Sequence, residues 1–157
     1  MPTPSPTAAT SPAAPRTPPL QVAGLLLAAL VAASLVNALI AAVALAAGAS
    51  DDFMPLQPGA YIVFTIAGVL IGAGGWAVIR RRAGAQKLLR ALVPVVVIVS
   101  FIPDLAMLVS DYQPGADVTG VVALLLMHVA VAAIAVPSYQ RALPLPSAEF
   151  DDREERR

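Results

Sequence analysis

Arg80-Arg81-Arg82-Ala83-Gly84-Ala85-Gln86-Lys87-Leu88-Leu89-Arg90 is a basic hinge between two long apolar runs. Loops rich in Lys and Arg are retained on the cytoplasmic side of a membrane. Placing Arg80, Arg81, Arg82, Lys87 and Arg90 there therefore sets the direction of every apolar segment before and after them. The hinge makes the chain an integral membrane protein whose spans alternate in direction from this point.

Composition points the same way. With 58% apolar and 13% charged residues among 157 and a mean hydropathy of +0.77, the chain is too apolar and too poor in charge for an ordinary soluble domain. Its zero formal net charge is uninformative, because the side of the membrane on which each charge falls is what matters. Cysteine is absent, which excludes disulfides, thiolate metal sites and cysteine nucleophiles.

Upstream of the hinge, residues 59–79 read as a span with Tyr61 and Phe64 near the outer interface and Trp76 near the inner one, as an aromatic belt predicts. Gly68, Gly72 and Gly75 recur there at helical spacing and permit close approach of another backbone, within the chain or in a homodimer. Residues 48–58 carry Asp51 and Asp52, no base, and the helix breakers Pro55 and Pro58, so they face outward. Residues 20–47 form the first span, about 42 Å long as a helix at 1.5 Å per residue and so longer than the ~30 Å hydrocarbon core. A rival reading takes Ala47-Gly48-Ala49 before Ser50 as a secretory cleavage site, but the apolar run far exceeds the usual ~7 to 15 residues. Residues 1–19, rich in Pro, Thr, Ser and Ala, read as a disordered cytoplasmic tail.

Downstream, residues 88–110 form the third span. Its β-branched core from Pro94 to Val99 mimics a strand, yet an isolated strand in lipid leaves its backbone groups unpaired where a helix satisfies them. Residues 111–117, with Asp111, Asp117 and no base, face outward. Residues 118–136 are the fourth span, closed by Pro137 and followed by Tyr139 and Arg141 at the inner interface. Residues 144–157 are a charged, solvated tail. The five remaining bases, Arg16, Arg141, Arg153, Arg156 and Arg157, all fall on the side of the hinge. The expected fold is an all-α, integral membrane four-helix bundle of antiparallel up-down topology, with both termini cytoplasmic and its place in the cell inner (plasma) membrane.

Polar groups within a span are expensive, about 2.5 to 3.5 kcal/mol for Asp on insertion scales. Asp104 is the leading case, because Pro103 frees the Val99 carbonyl and Ser100 shares its helix face. Counting depth from the outer loops puts Asp104 level with Thr65, and Ser100, His128 and Asn37 in a deeper layer. Two arrangements fit this count. Asp104 and His128, on helices of opposite direction, lean toward each other and touch; or Ser100, His128 and Asn37 form a hydrogen-bonded layer. His128, the only histidine, reads as a hydrogen-bonded core residue ahead of a proton- or ligand-handling group, with a metal ligand last, since zinc wants three or four ligands. The outer acids Asp51, Asp52, Asp111 and Asp117 read as solvated loop carboxylates rather than a cation site.

Arg80-Arg81-Arg82, the Ser100 to Pro103-Asp104 stretch, and Leu125-Leu126-Met127-His128 followed by Val136-Pro137 resemble a family of small actinobacterial four-span membrane proteins that is a domain of unknown function. The resemblance covers about residues 22–144. It implies fold and location, and no activity comes with it.

The functional expectation is a non-enzymatic bundle acting through oligomerisation or a partner membrane protein, with the lipid bilayer around it. No cofactor, metal or nucleic acid is expected. The alternative is a small proton- or solute-handling protein using Asp104 and His128; a membrane-embedded enzyme ranks below both, because no nucleophile with its base assembles from Ser34, Asn37, Thr65, Ser100, Asp104 and His128.

Overall fold

The first helix, α1 (Pro19–Ala46), turns its small residues in and its large ones out. Ala29, Ala33, Asn37, Ala41 and Ala44 are buried, at spacings that keep them on one helix face, while Leu27, Val31, Leu35, Leu39 and Val43 stand exposed on the opposite one. This is the arrangement lipid demands. Tails outside are as apolar as leucine, so helices associate through close van der Waals packing, which alanine permits and leucine obstructs.

The computed structural model describes residues 17–110 and 112–145. Besides α1 it comprises α2 (Pro58–Ile79), α3 (Ala85–Ala106) and α4 (Val118–Ala142), with a 3-10 turn at Met54–Leu56 and no strand among the described residues. All four helices are long and apolar enough to cross a membrane. The expected tail over residues 1–19 falls almost wholly outside the described residues, as do most of the charged tail over 144–157, Asp111, Arg16, Arg153, Arg156 and Arg157.

Two apolar clusters show that neighbouring helices run in opposite directions. One joins Ala41 and Ala44 near the end of α1 to Phe53, Leu56 and the start of α4 at Val121, Ala123, Leu124 and Met127. The other joins Val69, Ala73 and Trp76 of α2 to Leu89 near the start of α3 and to Ala135 and Tyr139 near the end of α4, with Leu26 and Leu30 of α1 against it. One end of the bundle therefore carries Arg80, Arg81, Arg82, Lys87, Arg90 and Arg141, and the other carries Asp51, Asp52 and Asp117. The most extensive packing is between α1 and α4; α2 and α3 flank that pair and scarcely touch each other.

Three local features differ from the sequence reading. The third helix starts at Ala85 and ends at Ala106, short of Ser110. Beyond it Met107, Leu108 and Val109 donate to the carbonyls three residues back, and the Ser110 hydroxyl takes the Ala106 carbonyl at 2.6 Å, so the last turn tightens and stops. The fourth helix is not closed by Pro137 and runs on to Ala142. A proline removes one helical donor, and here the Tyr139 side chain, anchored on α2, holds the following turn in place. Trp76 and Tyr139 do not line a lipid-facing belt. They are 4% and 5% exposed and pack on each other inside the bundle, ring centres 5.8 Å apart. Their polar ends find partners there: the Trp76 indole N–H donates to the Leu143 carbonyl at 3.0 Å, and the Tyr139 hydroxyl to the Val69 carbonyl at 2.6 Å.

Candidate functional site

The polar residues of the spans meet as two pairs, each joining neighbouring helices. On α1 and α2, the Asn37 side-chain N–H donates to the Thr65 hydroxyl oxygen at 2.8 Å, and that hydroxyl donates to the Tyr61 carbonyl at 2.6 Å. Both side chains are buried, and the Asn37 carbonyl oxygen has no hydrogen-bond partner among the described residues.

On α3 and α4, Asp104 meets His128. Asp104 follows Pro103 in the last turn of α3, near the outer end of that helix. Asp104 Oδ2 is 3.2 Å from His128 Nδ1. That is an ion-pair distance, but the geometry is not that of a hydrogen bond, and Oδ2 has no other partner among the described residues. Nδ1 instead lies 2.9 Å from the Leu124 carbonyl, one turn back on its own helix. The edge of Phe101 stands against the imidazole, ring centres 6.3 Å apart. Asp104 is sealed and His128 is not: their side chains are 7% and 38% exposed. The pair lies where opposed helix directions let the two side chains lean together.

Ser100 does not join either pair. Its hydroxyl donates to the Val97 carbonyl at 2.6 Å, so the alternative layer of Ser100, His128 and Asn37 is not formed. Of the three glycines singled out, only Gly72 meets another helix. A Cβ there would lie 2.7 Å from the Tyr139 hydroxyl oxygen, while Gly68 and Gly75 face open space. Gly72 is thus what lets Tyr139 reach the Val69 carbonyl one turn away.

At the acidic end, a second set of residues escaped the sequence reading. Phe53 is fully buried and lies over Gly120, where a Cβ would come within 2.6 Å of its ring. Asp117 caps α4 by accepting the Gly120 N–H at 2.8 Å, and its second oxygen accepts the Ser50 N–H at 2.7 Å. The Gly120 and Ser50 N–H groups hold the Asp117 carboxyl below the usual carboxylate range. The cap was legible as an Asp just before an apolar helix with Gly120 three residues on; the reach to Ser50 was not. Asp51 and Asp52 are exposed, and the described residues contain no group of three metal-binding side chains.

Neither a curated protein nor a solved structure matches the chain. A family model does match, over residues 15–144, and its extent covers all four helices together with both intramembrane pairs. The chain is a member of the family of unknown function DUF6069.

Proposed function

We propose that this integral membrane protein is non-enzymatic and acts as an assembly, with the outer face of α2 packed against a second copy of the chain. The observation that supports this is the pair of glycines the chain leaves unpacked. Phe64, Gly68, Ile71, Gly75 and Val78 follow one another at alternating spacings of four and three along α2, and all five are exposed. Large and small residues therefore alternate along one stripe, giving knobs and hollows on a single surface. Such a surface is complementary to itself about a two-fold axis, which makes an identical helix its natural occupant. Three intramembrane hydroxyls support the non-enzymatic part: Thr65, Ser100 and Ser138 each donate to a carbonyl of their own helix, so none of the three is set beside a base.

Because the chain has no cysteine, single replacements report on this directly. Ile71→Cys in native membranes should cross-link to a dimer under mild oxidation, and Leu35→Cys on the opposite, lipid-facing side of α1 should not. Gly75→Leu placed on Ile71→Cys should suppress the dimer band. A monomeric mass in lipid nanodiscs, together with no cross-link at Ile71, overturns the reading.

A further inference from the structure

Asp104 is the single buried residue of α3 beyond Leu89. Val95, Val96, Ile98, Val99 and Ile102 in that stretch are exposed, while Val93, Val97 and Phe101 are half-buried. Asp104 is therefore the one fully buried contact that holds the outer half of α3 to α4, with the edge of Phe101 against His128 beside it, and that contact is ionisable. We propose that Asp104 and His128 form a binding site for one exchangeable proton, and that the bound proton latches the outer half of α3 onto α4. This does not rest on assembly through α2, which uses a different face.

The proton count follows from the contacts. The Leu124 carbonyl oxygen, 2.9 Å from Nδ1, can only accept, so Nδ1 carries a hydrogen. The neutral ring then has its lone pair on Nε2, and Nε2 is where a further proton adds. Asp104 Oδ2 sits beside Nδ1, buried and without a hydrogen-bond partner among the described residues. A hydrogen on Oδ2 would find no acceptor there, because the nearest ring nitrogen is already a donor. A carboxylate in that position needs a nearby positive charge, since an uncompensated ion in a low-dielectric interior is strongly disfavoured. Protonation at Nε2 supplies it: hydronium gives up its proton, water leaves, and an imidazolium stands 3.2 Å from the carboxylate. The histidine is the more open member of the pair, its side chain 38% exposed against 7% for the carboxylate.

No other described charge can take this role. α1 carries no ionisable side chain, and α2 carries only Tyr61. On α3, Arg90 and Lys87 are at least 14 residues before Asp104, about 21 Å along the helix. On α4, Tyr139 and Arg141 are at least 11 residues beyond His128, about 16 Å away along the axis. From the segment between α3 and α4, the Tyr112 hydroxyl donates to the Pro103 carbonyl at 3.1 Å. Asp117 is engaged by Gly120 and Ser50. When the proton leaves, the carboxylate keeps its burial and loses its counter-charge, and an outward swing of α3 relieves it. An apolar groove of about 370 Å³, lined by Val93, Val97, Val129, Ala132 and Val136, separates the two helices on the inner side of the pair.

The single histidine makes the test direct. In nanodiscs, ¹⁵N NMR of His128 reads the two ring nitrogens, and spin labels at Ile102→Cys and Val122→Cys read the separation of the outer halves of α3 and α4. Nδ1 should stay protonated across the titration while Nε2 loses its proton. The label distance should grow over the same pH step. Asp104→Asn should make the distance independent of pH, and Ser100→Ala, which removes only a hydroxyl bonded to the Val97 carbonyl of its own helix, should leave the coupling unchanged. A ring that titrates with no change in distance overturns the latch, and so does a distance change that persists in Asp104→Asn. A ring that does not titrate between about pH 5 and 9, or an unprotonated Nδ1, overturns the site. The unmodified Asp104–His128 pair gives these last results even if the Asp104 variant fails to fold.

Discussion

Tyr139 shows what one side chain can do when lipid surrounds the fold. Its ring packs on Trp76 and its hydroxyl reaches the Val69 carbonyl across the bundle, and Gly72 is the residue that leaves room for it. Gly72→Leu drives a side chain into the Tyr139 hydroxyl, which must leave the Val69 carbonyl to make room, and should cost about 1–3 kcal/mol as overpacking does. Thermal unfolding in detergent checks this, and Gly68→Leu, which meets open space, should leave the monomer's melting temperature unchanged. Phe53 is the larger case. It is fully buried over Gly120 and is among the largest side chains with no exposure. Phe53→Ala should cost roughly 3–5 kcal/mol, the range for removing a buried aromatic, read as the drop in unfolding free energy against the parent chain.

At the scale of the element, α4 owes its start to Asp117. The carboxylate satisfies an orphan N–H of the first turn at Gly120 and ties the α1–α2 connection to the helix through Ser50. Removing the cap by Asp117→Ala should cost about 1 kcal/mol. The folded carboxyl is held below its ordinary range, so its stabilisation is complete above the unfolded value of ~3.9 and is lost as the pH falls through the lower folded value. Acidification over that window should destabilise the parent chain and leave Asp117→Asn flatter, as followed by melting temperature against pH. The third helix contrasts with this. It has three fully buried residues, Ala85 and Leu89 toward its inner end and Asp104 at its outer end, fewer than any other of the four helices, so it is the helix expected to move first.

For the whole molecule, the described connecting segments carry their bases and acids at opposite ends of four alternating helices, with Arg80, Arg81 and Arg82 at one end and Asp51, Asp52 and Asp117 at the other. The bias of Lys and Arg predicts that the basic end is cytoplasmic. Asp51→Cys and Ala83→Cys, both at exposed positions, separate the two orientations. In intact cells an impermeant thiol reagent should label the cysteine at position 51 and spare the one at position 83, and the reverse pattern means the protein is inserted the other way.

How much of this was legible before any coordinates depends on the range of the interaction. Number, length and helical character of the spans follow from apolar runs, because lipid admits only backbone that is satisfied within its own helix, and that is a local property. The separation of charge follows from the same count. Helix ends were less legible: Pro137 looked like a stop and is not one, since tertiary contacts at Tyr139 carry the helix past it, and the turn after Ala106 is decided by backbone and Ser110 bonds that composition does not show. Asp104, His128, Asn37 and Thr65 were visible as expensive groups in apolar surroundings. Which of them pair was not, because pairing depends on the rotation of each helix about its axis, and that is set by packing between helices. Ser100 shares a helix face with Asp104 and bonds its own backbone instead, and Phe53 leaves an acidic loop to fill the space over Gly120. Side-chain periodicity gave each helix its faces; only the contacts among helices decided which face met which.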